Sequence, residues 1–180
     1  SAGGSPEQSL VLARWLREIN PAEVKTVAYI PNQARSDAAL IALACDDVVM
    51  NETAVLGGEG AATIDARQAD AIEAAWQKIM QGNLKTLEAL PLALVLPEYQ
   101  VSRFVQQSTG RTEYFSSSAL LPRKDKASWK KQQDLAPGPL LVDGLQAEAY
   151  GLTDQPVTSF SDLAERYGLG DDITRIEPGW

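Results

Sequence analysis

A β-branched segment that runs through a proline turn into an alanine-rich segment constrains this fold more than any other part of the chain. Thr26 to Ile30 is a β-branched and aromatic run that Pro31 closes, which predicts a buried strand ending in a turn. The nearly continuous apolar segment from Ser36 to Cys45 predicts a buried helix. Its first residue, a serine, can cap that helix by accepting hydrogen bonds from the first free N–H groups. Alternatively, the turn can expose its hydroxyl at the end of the sheet, where a nucleophile could meet a substrate.

Three segments carry a resemblance to a known family. The pattern A-x-S-x-A-x-x-I-A-L-A-x-D-x-V-V-M begins at Ala34, and L-G-G follows at Leu56. The turn at residues 1–5 and the closing segment GLQAEAYGLTD at residues 144–154 complete the set. Together they resemble the membrane-bound NfeD-type ClpP-class serine proteases, relatives of signal peptide peptidases. The likeness extends, in order, over nearly the whole chain.

The resemblance implies a fold, a location and partners. It implies one ClpP/crotonase-like domain over residues 1–180, with a largely parallel sheet, flanking helices and the family's first strands absent from this chain. The alternation of strands and helices independently predicts an α/β class. The resemblance further implies an extracytoplasmic (periplasmic) domain of a membrane-anchored homo-oligomer, anchored by segments outside this chain. Its substrates would be peptides or membrane proteins, and no cofactor is implied.

The resemblance also assigns roles to five residues. It implies a serine endopeptidase that cuts hydrophobic or membrane-associated peptides with Ser36 as the nucleophile. Backbone amides of Gly3, Gly4 and Asp37 would stabilise the oxyanion. The family's catalytic lysine follows its serine by roughly forty residues, which nominates Lys78 as the base.

The identity of the base is the least constrained part of this assignment. The chain contains no histidine, so a Ser-His-Asp mechanism is excluded and only a lysine, a carboxylate or water can take the proton. On a helical wheel Lys78 lies opposite the apolar stripe of Ile72, Trp76 and Ile79, which favours a solvated lysine. A carboxylate at Asp37 would oppose a developing oxyanion unless it points away.

Three functional hypotheses therefore remain open. The first is the peptidase. The second is a catalytically inactive module of the same fold, used for assembly or scaffolding at a membrane. The third is acyl-CoA chemistry on the related crotonase fold, for which the sequence offers no pocket carboxylate.

Composition excludes several other classes. A net charge of −8 argues against nucleic acid as a partner. The single cysteine, Cys45, excludes an intrachain disulfide and a thiolate metal cluster, and no metal site is predicted. The apolar run from Leu90 to Leu96 is too short to span a bilayer. The basic run from Arg123 to Lys131 predicts a solvated hairpin or helix face, or else a contact with anionic lipid headgroups.

Local signals place the remaining elements. Helices are predicted from a capping box at Ser5 to Asn20, over Asp65 to Leu90 and over Tyr99 to Val105. A strand is predicted around Tyr114 and Phe115. Further N-caps are predicted at Asp143 and at Ser159 or Ser161.

Overall fold

The fold is a mixed α/β arrangement, as the sequence predicts. The computed structural model describes residues 1–61, 63–80, 89–121, 123–170 and 173–174. The helices in that part of the chain are α1 (Pro6–Glu18), α2 (Asp37–Ala44), α3 (Ala66–Ile79), α4 (Ala89–Val95), α5 (Ser117–Leu120), α6 (Gly144–Ala149) and α7 (Phe160–Arg166). The strands are β1 (Val27–Ile30), β2 (Gln33–Ala34), β3 (Asp47–Met50), β4 (Val55–Gly57), β5 (Ser102–Gln106), β6 (Thr112–Phe115), β7 (Trp129–Asp134) and β8 (Leu141–Asp143).

The described strands form three small sheets. β1 pairs in parallel with β3, and β2 pairs in parallel with β4, whose other edge pairs antiparallel with β8. β5 lies between β6 and β7 and is antiparallel to both. The expectation of a largely parallel sheet is therefore wrong for the second half of the chain. The turn between β5 and β6 is too short for the crossover that a parallel pair needs, so those strands form a hairpin.

Helix α2 forms the centre of the main core. It is apolar on every side, and Ala39, Leu40 and Ala44 are completely buried. Helix α1 packs on it through a narrow face on which Ser9 and Ala13 are buried. Because these residues are small, the two helices approach closely, and the first residues of α1 lie beside the first residues of α2.

The predicted helix starts and caps are mostly confirmed. Asp65 and Gln68 form a capping box at the start of α3, Asp143 caps α6, and Ser159 caps α7. Helix α1 begins at Pro6 as predicted, but the Ser5 side chain makes no cap hydrogen bond, so the predicted capping box is wrong. Of the predicted helix over residues 65–90, residues 81–88 lie outside the described part of the chain.

The predicted helix from Tyr99 to Val105 is wrong. This segment contains the strand β5, in which Ser102 and Phe104 are buried and Arg103 between them is exposed. That alternation is the two-residue period of a strand, and over so few residues it is easily mistaken for a helical pattern. The strand predicted around Tyr114 and Phe115 is confirmed as β6. No helix in the described residues is long and apolar enough to cross a membrane.

Candidate active site

Ser36 occupies a sharp turn between strand β2 and helix α2. Its backbone angles are φ 51° and ψ −132°, a conformation that residues with a side chain rarely adopt. Its N–H donates to the carbonyl of Gly58 at 3.2 Å, and its carbonyl accepts from the N–H of Ala39 at 3.0 Å. Such a conformation costs about 1–3 kcal/mol and persists only where the surroundings enforce it. Strain of this kind at a strand-to-helix turn is typical of nucleophile positions.

The Ser36 side chain is enclosed. It makes no cap hydrogen bond to its own helix, so the capping interpretation is wrong. Only 2% of the residue is exposed. A Cβ added at Gly60 would lie 2.6 Å from the Ser36 Cβ, and one added at Gly3 would lie 3.1 Å from it. The serine is therefore held between two glycine α-carbons, each of which approaches more closely than a larger residue could.

The neighbouring carboxylate of Asp37 is buried and bound within the chain. Asp37 is 1% exposed. Its Oδ1 accepts the backbone N–H of Gly4 at 2.9 Å, and its Oδ2 accepts the hydroxyl of Ser9 at 2.6 Å. The carboxylate thus joins the first turn of α2 to the first residues of α1. It points away from the helix axis of α2 and towards the glycine pair.

Two of the three backbone amides that the resemblance assigns to oxyanion stabilisation already donate hydrogen bonds within the chain. The Gly4 amide donates to Asp37, and the Gly3 amide donates to the Ser1 hydroxyl at 3.3 Å. The backbone amide of Asp37 has no acceptor in the described part of the chain. The structure therefore brings Gly3, Gly4 and Asp37 together beside Ser36, but with a carboxylate oxygen against the Gly4 N–H.

Lys78 lies elsewhere. It is exposed near the end of α3 and lines a cavity together with Arg14, Arg17 and Glu18 of α1. Ser9, the residue of α1 that contacts Asp37, precedes Arg14 by five residues and so lies about 7.5 Å from it along the helix axis. The described contacts thus place Lys78 beside the carboxyl-terminal half of α1 and do not bring it to Ser36.

The space beside the site opens onto the carboxylate and not onto the serine. A cavity of about 260 Å³ is lined by Gly3, Gly4, Leu12, Asp37 and Ile41, among others, and Ser36 does not line it. A ligand in this cavity would meet the glycine pair and an acidic group. An anionic tetrahedral group would be repelled there.

A second cavity, of about 460 Å³, lies at the other end of α2. Cys45, Asp47 and Lys25 line it, and Cys45 is the C-cap residue of α2, about 13.5 Å from Ser36 along the helix axis. The Lys25 ammonium lies 2.6 Å from Asp47, and this contact raises the pKa of Lys25. The Tyr167 hydroxyl donates to the same carboxylate at 2.8 Å, and burial together with Asp47 raises the pKa of Tyr167. These pairs close the end of the β1–β3 sheet.

Sequence reasoning missed two residues of the site. Ser9 sits on the buried face of α1 among apolar residues, and this polar interruption of the stripe was the available signal. Gly60 lies in a glycine-rich stretch, and nothing in the sequence distinguishes it from its neighbours.

The described residues contain no group of three or more side chains that could hold a metal ion. Comparison with protein-family models, with curated proteins and with solved structures finds no match to this chain.

Proposed function

We propose that this chain is a catalytically inactive module of the ClpP/crotonase-like fold, which acts by binding other proteins, including copies of itself, beside a membrane outside the cytoplasm. One observation carries the proposal: the Asp37 carboxylate accepts the Gly4 N–H at 2.9 Å. An oxyanion hole stabilises negative charge that develops during the reaction. Here a fixed negative charge already accepts that hydrogen bond.

Two further features support the loss of catalysis. Ser36 has no described base within reach, because Lys78 lies beside the other half of α1 and the chain has no histidine. The serine is also enclosed by Gly3 and Gly60. A serine without a base is a weak nucleophile, and the close glycines leave little room beside it for a substrate.

Exposed apolar side chains support a binding role. Trp15 is 59% exposed and Val11 is 62% exposed on the outer face of α1, where they are one helical turn apart. Tryptophan is among the residues enriched in the energetic centres of protein interfaces.

A fluorophosphonate probe tests the proposal. We expect the wild-type protein to take up no more probe than Ser36→Ala does, at equal folded concentration. Asp37→Ala frees the Gly4 amide but supplies no base, so we expect it to remain unlabelled as well. Labelling of the wild type that Ser36→Ala abolishes would overturn the proposal.

The second candidate is a serine hydrolase acting on hydrophobic or membrane-associated peptides, and the strained backbone of Ser36 favours it. Strain at a nucleophile turn has a catalytic purpose only if the hydroxyl can be reached. This candidate therefore requires the segment at Gly60 to move away. Two results would establish it. Peptide cleavage should depend on Ser36, and it should fall in Gly60→Ala, whose added methyl group crowds the serine.

A further inference from the structure

The antiparallel sheet formed by β5, β6 and β7 differs in charge from the rest of the chain. Residues 102–134, which we call the basic sheet, contain seven arginines and lysines and three carboxylates, a net charge of +4. Because the whole chain carries −8, the remaining residues carry −12. Separated charges of this size orient two molecules as they approach each other.

The basic sheet has its own small core. Phe104, Phe115 and Trp129 are buried against one another, and the Phe115 and Trp129 rings lie 5.1 Å apart. The Arg123 guanidinium covers this core, 5.0 Å from the Phe115 ring. It is held there by Asp125 at 3.0 Å, and the Trp129 indole N–H donates to the same carboxylate at 2.9 Å.

Several cations of the basic sheet have no carboxylate partner among the described residues. Arg103 and Lys130 are exposed and flank Val105, which pairs with Lys130 across β5 and β7. Lys124 and Lys126 are exposed in the connection that leads to β7. None of these four forms an ion pair with any residue that the structure describes. Their charge is therefore available to a partner, and the sheet presents it with little loss of backbone freedom on binding.

A surface of opposite charge lies around the start of α6. Leu145, the second residue of α6, is 55% exposed. The Gly144 N–H donates to the carbonyl of Glu52 at 3.0 Å, and Glu148 follows Gly144 by one helical turn. We call the surface formed by Leu145, Glu148 and Glu52 the acidic patch, because Leu145 and Glu148 are three residues apart on α6 and Glu52 contacts its first residue. Both of its glutamates are exposed, and neither forms an ion pair within the described residues.

We infer that the basic sheet of one copy binds the acidic patch of a second copy of this chain. The argument is charge complementarity between two surfaces whose charges form no ion pair with the residues that the structure describes, with the exposed Leu145 beside the glutamates of the acidic one. Because the two surfaces differ, the contact is head-to-tail and produces rings or filaments. This inference rests on the proposed binding role of the module and names the surfaces it uses.

Charge reversal tests both surfaces. One variant carries Arg103→Glu with Lys130→Glu, and the other carries Glu52→Lys with Glu148→Lys. By sedimentation velocity in 50 mM NaCl we expect the wild type to form oligomers and each variant alone to be monomeric. An equimolar mixture of the two variants should associate again, because the intact sheet of one meets the intact patch of the other. In 500 mM NaCl the wild type should associate at least about tenfold more weakly.

The control is Arg67→Glu with Lys78→Glu, which reverses two exposed charges on α3, outside both surfaces, and should leave the oligomer unchanged. A wild type that is monomeric up to about 100 μM, or an oligomer that neither reversal weakens, overturns the inference. So does binding to vesicles of 30% phosphatidylglycerol that needs Arg103 and Lys130 in a chain that does not self-associate. Each of these outcomes leaves the loss of catalysis standing, because the fluorophosphonate experiment decides that separately.

Discussion

The hydrogen bond from Ser9 to Asp37 should couple the first turns of α1 and α2 energetically. Asp37 is 1% exposed and accepts two hydrogen bonds, from the Ser9 hydroxyl and the Gly4 amide. A hydrogen bond to a charged group contributes about 1.5–3 kcal/mol. Ser9→Ala removes one of the two and leaves a buried carboxylate half satisfied, so we expect it to lower the free energy of unfolding by about 1.5–3 kcal/mol.

Asp37→Ala should cost more than Ser9→Ala. It removes both hydrogen bonds and leaves the Ser9 hydroxyl without its acceptor in a buried position, which together should cost about 2–4 kcal/mol. The expected loss is smaller than the sum of two full hydrogen bonds, because Asp37→Ala also removes the free-energy cost of taking a charged carboxylate out of water. The double variant should be less destabilised than the two single variants added together, by about 1 kcal/mol or more.

Urea unfolding followed by tryptophan fluorescence measures these differences. The matched control is Ser5→Ala, because that serine lies at the start of α1 and makes no cap hydrogen bond, so the change should stay within about 0.5 kcal/mol. Additive effects of Ser9→Ala and Asp37→Ala would refute the coupling. A cost for Ser9→Ala no greater than that of Ser5→Ala would refute the claim that Asp37 is held in this site.

Three other substitutions test separate parts of the structure. Gly60→Ala places a methyl group 2.6 Å from the Ser36 Cβ and should lower the free energy of unfolding by about 1–3 kcal/mol. The control Gly4→Ala meets no atom within 4 Å and should lower it less. Thermal unfolding of the two variants measures the difference. Ser159→Ala removes a cap hydrogen bond and should cost about 1 kcal/mol in the same assay; no loss would contradict the cap. Tyr167 has a raised pKa in the folded state. Its contribution to the free energy of unfolding is therefore complete below pH 10 and is lost as the pH rises through the folded-state pKa. Tyr167→Phe should therefore lower stability at pH 7 and flatten its decline above pH 10 in urea titrations, and an unchanged alkaline slope would contradict this.

The sequence predicted the elements around the site better than the contacts within it. The run from Thr26 to Ile30 and the apolar segment after Ser36 became β1 and α2, because hydrophobic patterning and turn residues are local signals. The strained φ of Ser36 was not predictable, since it depends on a hydrogen bond to Gly58 and on contacts with Gly3 and Gly60. These contacts join segments more than twenty residues apart.

The direction of the Asp37 side chain was the decisive unknown in the sequence. A carboxylate beside a serine opposes catalysis if it faces the reacting group, and is harmless if it faces water. Only the packing of α1 on α2 settles the choice, because it places Ser9 and Gly4 where they donate to that carboxylate. The spacing of 28 residues between Ser9 and Asp37 carries no local signal for this contact.

The same contact links the proposed inactivity to stability. The carboxylate that accepts the Gly4 N–H also accepts the Ser9 hydroxyl and so joins α1 to α2 in the main core. Replacing Asp37 to restore the amide of Gly4 would therefore weaken the helix pairing that positions that amide. A single substitution is therefore not expected to produce activity. Activity would need a base near Ser36 and also an uncharged side chain at position 37 that still accepts the Ser9 hydroxyl. Asp37→Asn is the variant that meets this condition, since its amide oxygen can accept one of the two hydrogen bonds without the charge.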